Sequence, residues 1–150
     1  MHRHVVSLLI ALVSLPVLTP TARARVQNRE ADAVVKKFLA SQKTSDEEAE
    51  AAGSAVADLD GDGKPEIVLV WTTMGATYWR NSLTVFGKTA GAYKPVATYA
   101  LNGEAQLSKV TGGVIYVDQK LYAKRDPICC PTVKRMMKYR LTGKKIALVK

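Results

Sequence analysis

The chain has 150 residues, a formal net charge of +9 and two histidines, His2 and His4. That length suits one domain with an adequate core. With no imidazole after residue 4, the rest of the chain cannot run a Ser-His-Asp or Cys-His mechanism, build a histidine-ligated zinc site or sense mild acid through histidine.

Residues 1–24 read as a secretory signal peptide. A short basic start (His2, Arg3, His4) precedes an apolar run from Val5 to Leu18 that is too short to span a bilayer, and Ala22 and Ala24 supply the small residues a signal peptidase needs. Cleavage after Ala24 would leave 126 residues starting at Arg25 in the periplasm or outside the cell, with no transmembrane segment. Residues 25–53 read as a helical segment, and 54–150 as a β domain folded with it into one unit. Asn28 is a candidate cap for a short amphipathic helix carrying Val34, Val35, Phe38 and Leu39 at three-to-four spacing. Ser45-Asp46-Glu47-Glu48 forms a capping box that predicts a second helical turn, fading by Gly53.

The stretch Asp58-Leu59-Asp60-Gly61-Asp62-Gly63-Lys64-Pro65-Glu66 follows. Its carboxylates at positions 1, 3, 5 and 9 suit a hard cation that takes six to eight oxygens, and Gly61 and Gly63 allow the tight curl this needs. The loop is not an EF-hand, because position 12 is Leu69 and the following Ile67-Val68-Leu69-Val70-Trp71 is a strand signal. The same acids also suit a solvated Asp/Gly turn, although four carboxylates crowded together repel without a cation. The stretch from Val56 to Leu69 resembles the repeat of the FG-GAP and VCBS families, in which such a loop joins two strands. The resemblance implies one structural calcium ion, with Asp58, Asp60, Asp62 and Glu66 as side-chain ligands and Lys64 contributing its carbonyl. Extracellular calcium modules bind with Kd of roughly 10⁻⁴ to 10⁻³ M, which suits an exported protein.

From Ser54 onward the chain reads as strands: 54–57, 66–73, 82–86, 93–101, 105–110, 114–122, 133–141 and 146–149. Hairpin-like turn signals separate them at Lys88-Thr89-Ala90-Gly91, Asn102-Gly103, Gly112-Gly113 and Thr142-Gly143. The expected fold is therefore mainly β, an antiparallel sandwich or open barrel behind one N-terminal helix. One metal loop is too few for a propeller.

The only cysteines, Cys129 and Cys130, are adjacent, within Asp126-Pro127-Ile128-Cys129-Cys130-Pro131-Thr132. A vicinal disulfide, an intermolecular bridge and free thiols are all compatible with an oxidising compartment. A thiol-disulfide enzyme is disfavoured, since the Cys-x-x-Cys spacing and its helix N-terminus are missing. Together with Asn81-Ser82-Leu83, Val85-Phe86 and Tyr139-Arg140-Leu141, this segment is similar to a group of small exported bacterial proteins with one FG-GAP-like motif. A weaker similarity is to periplasmic lysozyme inhibitors.

Charge is uneven along the chain. Ten of thirteen acidic residues lie between Glu30 and Glu66, whereas Lys109 to Lys150 holds eleven Lys/Arg against Asp118 and Asp126. A basic face on an exported protein suits anionic cell-wall polymers, lipid head groups or an acidic envelope protein, or serves solubility alone. Nucleic acid is not expected, because no recognition motif accompanies the charge. The expected function is that of a non-catalytic calcium module of the bacterial envelope. The alternative is an inhibitor or immunity protein against a cell-wall hydrolase, with Trp71, Tyr78 or Trp79 as candidate anchors. A metal-assisted hydrolase is disfavoured, since a loop that saturates its ion with protein oxygens leaves little room for substrate.

Overall fold

The computed structural model describes residues 20–149. One helix, α1 (Pro20–Gln42), precedes eight strands: β1 (Glu48–Ala57), β2 (Glu66–Met74), β3 (Trp79–Thr89), β4 (Ala92–Leu101), β5 (Glu104–Thr111), β6 (Val114–Leu121), β7 (Val133–Thr142) and β8 (Lys145–Leu148). The strands form two four-stranded antiparallel sheets, β1-β2-β3-β4 and β5-β6-β7-β8, each a simple meander. The protein is thus mainly β, as its spaced turn signals predict. Residues 1–19 of the expected signal peptide lie outside the described residues, and Ala24 falls in the first turns of α1.

Three layers result, and β2 is the centre of the middle one. Its uninterrupted apolar run reflects burial on both faces, where an alternating strand would leave one face to water. Val68 and Val70 point between the sheets, where they join Leu83, Val85, Ile115, Val117, Tyr139 and Leu141. Ile67, Leu69 and Trp71 point the other way, beneath α1, with Phe86, Ala31 and Val35. Phe38 of α1 stands edge-on to both Trp71 and Phe86, with ring centroids 5.3 and 5.0 Å apart. Trp71 is therefore not available as a surface anchor: it is buried, and its indole N–H donates to Thr84 Oγ1 at 3.0 Å.

Two local expectations are corrected. Asn28 does not cap the helix, which is already running through it, since Thr21-Ala22-Arg23-Ala24-Arg25 is rich in strong helix formers. The capping box at Ser45 does not nucleate a turn of helix either. The hydroxyl of Thr44 takes the N–H groups of Asp46 and Glu47 at 3.3 and 3.1 Å, the chain turns, and β1 begins at Glu48. Pairing of residues 48–57 with β2 and burial of Ala49 beneath α1 outweigh the modest helix preference of an Ala-rich stretch. Gly53, at φ +123°, marks a register shift between Ala51 and Ser54, and a Cβ there would sit 2.8 Å from that of Leu107 on β5. The glycine lets the second sheet approach the first.

Asn102-Gly103 is a corner and not a hairpin turn. It carries the chain from β4 in the first sheet to β5 in the second, and β5 then packs across β3, β2 and β1. Each sheet contributes one buried side-chain amide to hold it. Asn81 on β3 donates to Gly103 O at 2.8 Å, and Gln119 on β6 donates to Asn102 O at 2.7 Å. Their amide oxygens are satisfied in turn by the hydroxyls of Thr72, at 2.6 Å, and Tyr139, at 2.5 Å. Buried polar groups bonded this fully specify a geometry that apolar packing alone would leave loose.

Gly103 has φ +73°, and a Cβ on it would fall 1.8 Å from Lys120 O. Gly143, at φ +59°, faces open space. We expect Gly103→Ala to destabilise the protein by about 3 kcal/mol or more, and Gly143→Ala by about 1 kcal/mol, in urea denaturation. Equal losses would show that the corner is not a special constraint.

Candidate functional site

The acidic loop joins β1 to β2, so two antiparallel paired strands of the first sheet hold its ends. Leu59 inserts into the core between the sheets, and Pro65 O accepts a hydrogen bond from Tyr93 on β4 at 3.1 Å. Between these anchors Gly61 and Gly63 adopt φ of +81° and +80°, the left-handed conformation in which a Cβ would be strained. The Asp58 carboxylate sits at the hub of the curl, accepting from Gly61 N at 2.7 Å and Gly63 N at 2.9 Å. Asp60 accepts from Asp62 N at 3.1 Å, and Glu66 accepts from Leu59 N at 2.9 Å.

The loop brings together Asp58, Asp60 and Glu66, each presenting a carboxylate oxygen within 4.8 Å of the other two. Oxygens that share one calcium at 2.3–2.6 Å lie at most about 5 Å apart, so the trio fits a single hard cation in chemistry and in spacing. Asp62 is not among the three and meets Lys64 instead: its carboxylate accepts from Lys64 N at 2.7 Å and lies 3.6 Å from Lys64 Nζ. Glu66 is buried while Asp58 and Asp60 are exposed. Burial pushes the Glu66 carboxyl above its ordinary value, the Leu59 N–H pulls it back, and the charges of Asp60, Asp62 and Asp58 push it further up.

The wall facing the loop was not legible as a motif. It consists of the β5–β6 turn, Gly112-Gly113, with Arg140 and Leu141 on β7, around a depression of about 590 Å³. A Cβ on Gly113 would lie 2.7 Å from Leu59 O, so the turn can come this close only as glycine. A double glycine reads as a hairpin signal, and nothing near it in sequence marks a loop fifty residues away.

The cysteines lie on the long β6–β7 loop, and their sulfurs are bonded to each other. Asp126 braces this loop: its carboxylate accepts from Ala123 N at 2.7 Å, Thr132 N at 2.8 Å and Thr132 Oγ1 at 3.0 Å. Tyr122 donates to Ile128 O at 2.6 Å, and Cys130 N donates to Pro127 O at 2.9 Å. The proline pair flanking the cysteines therefore sits on a turn closed by hydrogen bonds at its base. Cys129, Ile128 and Tyr122 border a groove of about 680 Å³ whose far side is the β2–β3 turn. Tyr78 there stays half exposed, with its hydroxyl donating to Glu47 and Arg80 over its ring.

The Ala123 N–H, with help from Thr132, holds the Asp126 carboxyl below its ordinary value. A carboxylate whose pKa is depressed by folding adds stability above the unfolded value, about 3.9, and that stability is lost as pH falls through the folded value. Asp126→Asn should therefore melt below the wild type at pH 7, with the gap closing in acid below about pH 3.9. A gap of the same size in acid would mean that the carboxylate charge is not what braces the loop. The chain matches no protein-family model, no curated protein and no solved structure.

Proposed function

We propose that the protein is an exported, non-catalytic calcium-binding module of the bacterial envelope, of FG-GAP/VCBS-like character, in which one structural ion fastens the β1–β2 loop. The observation that carries the reading is the gathering of Asp58, Asp60 and Glu66 on a loop whose glycines are already curled for it. Glu66 is the decisive member. A buried carboxylate beside two others is costly unless a cation meets it, whereas a plain solvated turn has no reason to bury one. Asp58, Asp60 and Glu66 would hold the ion, which would supply charge neutralisation and a rigid link between strands. The apolar start and the Ala22-x-Ala24 site support export, into a compartment where calcium is plentiful and a weak site suffices.

The lack of histidine after His4 argues against most hydrolytic mechanisms, so binding is the better-supported role. Its partner would be an envelope protein or an anionic cell-wall polymer, met through the basic second sheet. Among the described residues, no helix is long and apolar enough to cross a membrane.

Calcium at ten times its Kd should stabilise the protein by about 1.4 kcal/mol, raising its melting temperature by a few degrees, with one ion bound in calorimetric titration. Asp60→Ala should erase that increment; a wild type that melts identically in calcium and in chelator would overturn the reading. Glu66→Gln separates ion binding from loop packing. The amide keeps an acceptor for Leu59 N and removes the buried charge, so in chelator the variant should be at least as stable as the wild type, while gaining nothing from calcium.

A further inference from the structure

The β6–β7 loop has features that the calcium reading does not use. At its tip Ile128 is 87% exposed, the largest exposure of any big apolar side chain described, and Pro127, Cys129 and Cys130 beside it are exposed too. Tyr122, which borders the same groove as Ile128, extends this apolar surface at the loop's base. A side chain so exposed would cost nothing to replace by a polar one if the loop only connected two strands.

The loop and the strand that follows it carry exposed cations. Lys124, Arg125, Lys134 and Arg135 are all exposed. The loop's own carboxylate, Asp126, is bonded to Ala123 and Thr132; at the same end Glu104 is paired with Lys120, Glu47 with Arg80 and Glu48 with Lys43, which leaves Asp46 and Asp118 as exposed counter-charges. The loop is also held in shape, by the Asp126 brace, the Tyr122–Ile128 hydrogen bond and the bond between the cysteines. A braced apolar tip flanked by exposed cations matches an anionic bilayer, which offers an apolar interior beneath a layer of phosphates. A soluble polyanion would meet the cations and leave Ile128 in water; an apolar protein groove would take Ile128 and leave the cations unmatched.

We propose that this loop is a membrane-contact tip: Ile128 and the cysteine pair enter the interface of an anionic bilayer while Lys124, Arg125, Lys134 and Arg135 meet its phosphate head groups. The proposal rests on the envelope placement of the proposed function but not on its calcium ion. β2 begins at Glu66 and ends at Met74, which borders the same groove as Cys129, so the acidic loop lies at the opposite end of the sandwich, about 27 Å away along the strand.

Sedimentation of the full chain with vesicles, in chelator, tests it. The wild type should bind vesicles containing one-third phosphatidylglycerol more tightly than pure phosphatidylcholine, and added salt should weaken that binding. Ile128→Ser should lower partitioning about tenfold. Lys124→Gln and Arg125→Gln should each lower it about fivefold, and Lys36→Gln, on exposed α1, should leave it unchanged. Because all variants share the same apolar N-terminus, these differences read the tip alone, and their melting curves verify folding. Tip variants that sediment like the wild type would overturn the proposal. So would an absence of vesicle binding combined with retention on an immobilised anionic polysaccharide, which would make the partner a polymer. Asp60→Ala should bind vesicles normally in chelator, so the calcium reading and the membrane reading can fail independently.

Discussion

The burial of β2 on both faces is the constraint on which the rest of the molecule depends. A middle strand that presents Val68 and Val70 to one layer and Ile67, Leu69 and Trp71 to the other needs a cover on each side. The second sheet supplies one and α1 the other. Only apolar residues can occupy such a strand without leaving polar groups unmet, and this is why its sequence runs continuously hydrophobic where the outer strands alternate. The acidic loop inherits its position from the same strand. Glu66 is the first residue of β2, so the zone that buries the strand also buries this carboxylate, while Asp58 and Asp60, outside it, remain in water.

The second constraint is the corner that stacks one meander on the other. Two residues are a very short link between sheets, and they succeed because Gly103 takes a positive φ with its α-carbon pressed close to Lys120 O. The paired amides Asn81 and Gln119 fix that corner from both layers. Among the described residues, no buried side-chain nitrogen or oxygen lacks a partner, which is the condition under which a polar core rigidifies instead of destabilising. Tyr139 belongs to the same network, and burial pushes its hydroxyl up to about 12, so it stays a neutral donor to Gln119 across the whole physiological range.

Separation along the sandwich follows from these two constraints. The β1–β2 loop and the β5–β6 turn meet at one end, around Asp58 and Asp60; the β2–β3 turn and the β6–β7 loop meet at the other, around Tyr78, Tyr122 and Ile128. The acidic loop and the surface proposed to meet a partner therefore stand at opposite ends of the sandwich.

Much of this was legible in the residues, and what was not has a common cause. Strand positions follow from β-branched runs and from glycine pairs at turns, and the curl of the acidic loop follows from Gly61 and Gly63, because these are local properties of a few neighbouring residues. Tertiary structure alone decided that Glu48 to Gly53 is strand and not helix, that Asn102-Gly103 changes sheets instead of closing a hairpin, that Trp71 is covered by Phe38, and that Gly113 and Arg140 face the acidic loop. Each is a contact between residues far apart in the chain, where burial and pairing energies exceed the few tenths of a kcal/mol by which local preferences differ. Alternation and turn chemistry tell a strand where to start and which way it faces. They carry no information on which partner layer will cover it, and that choice depends on packing the whole chain at once.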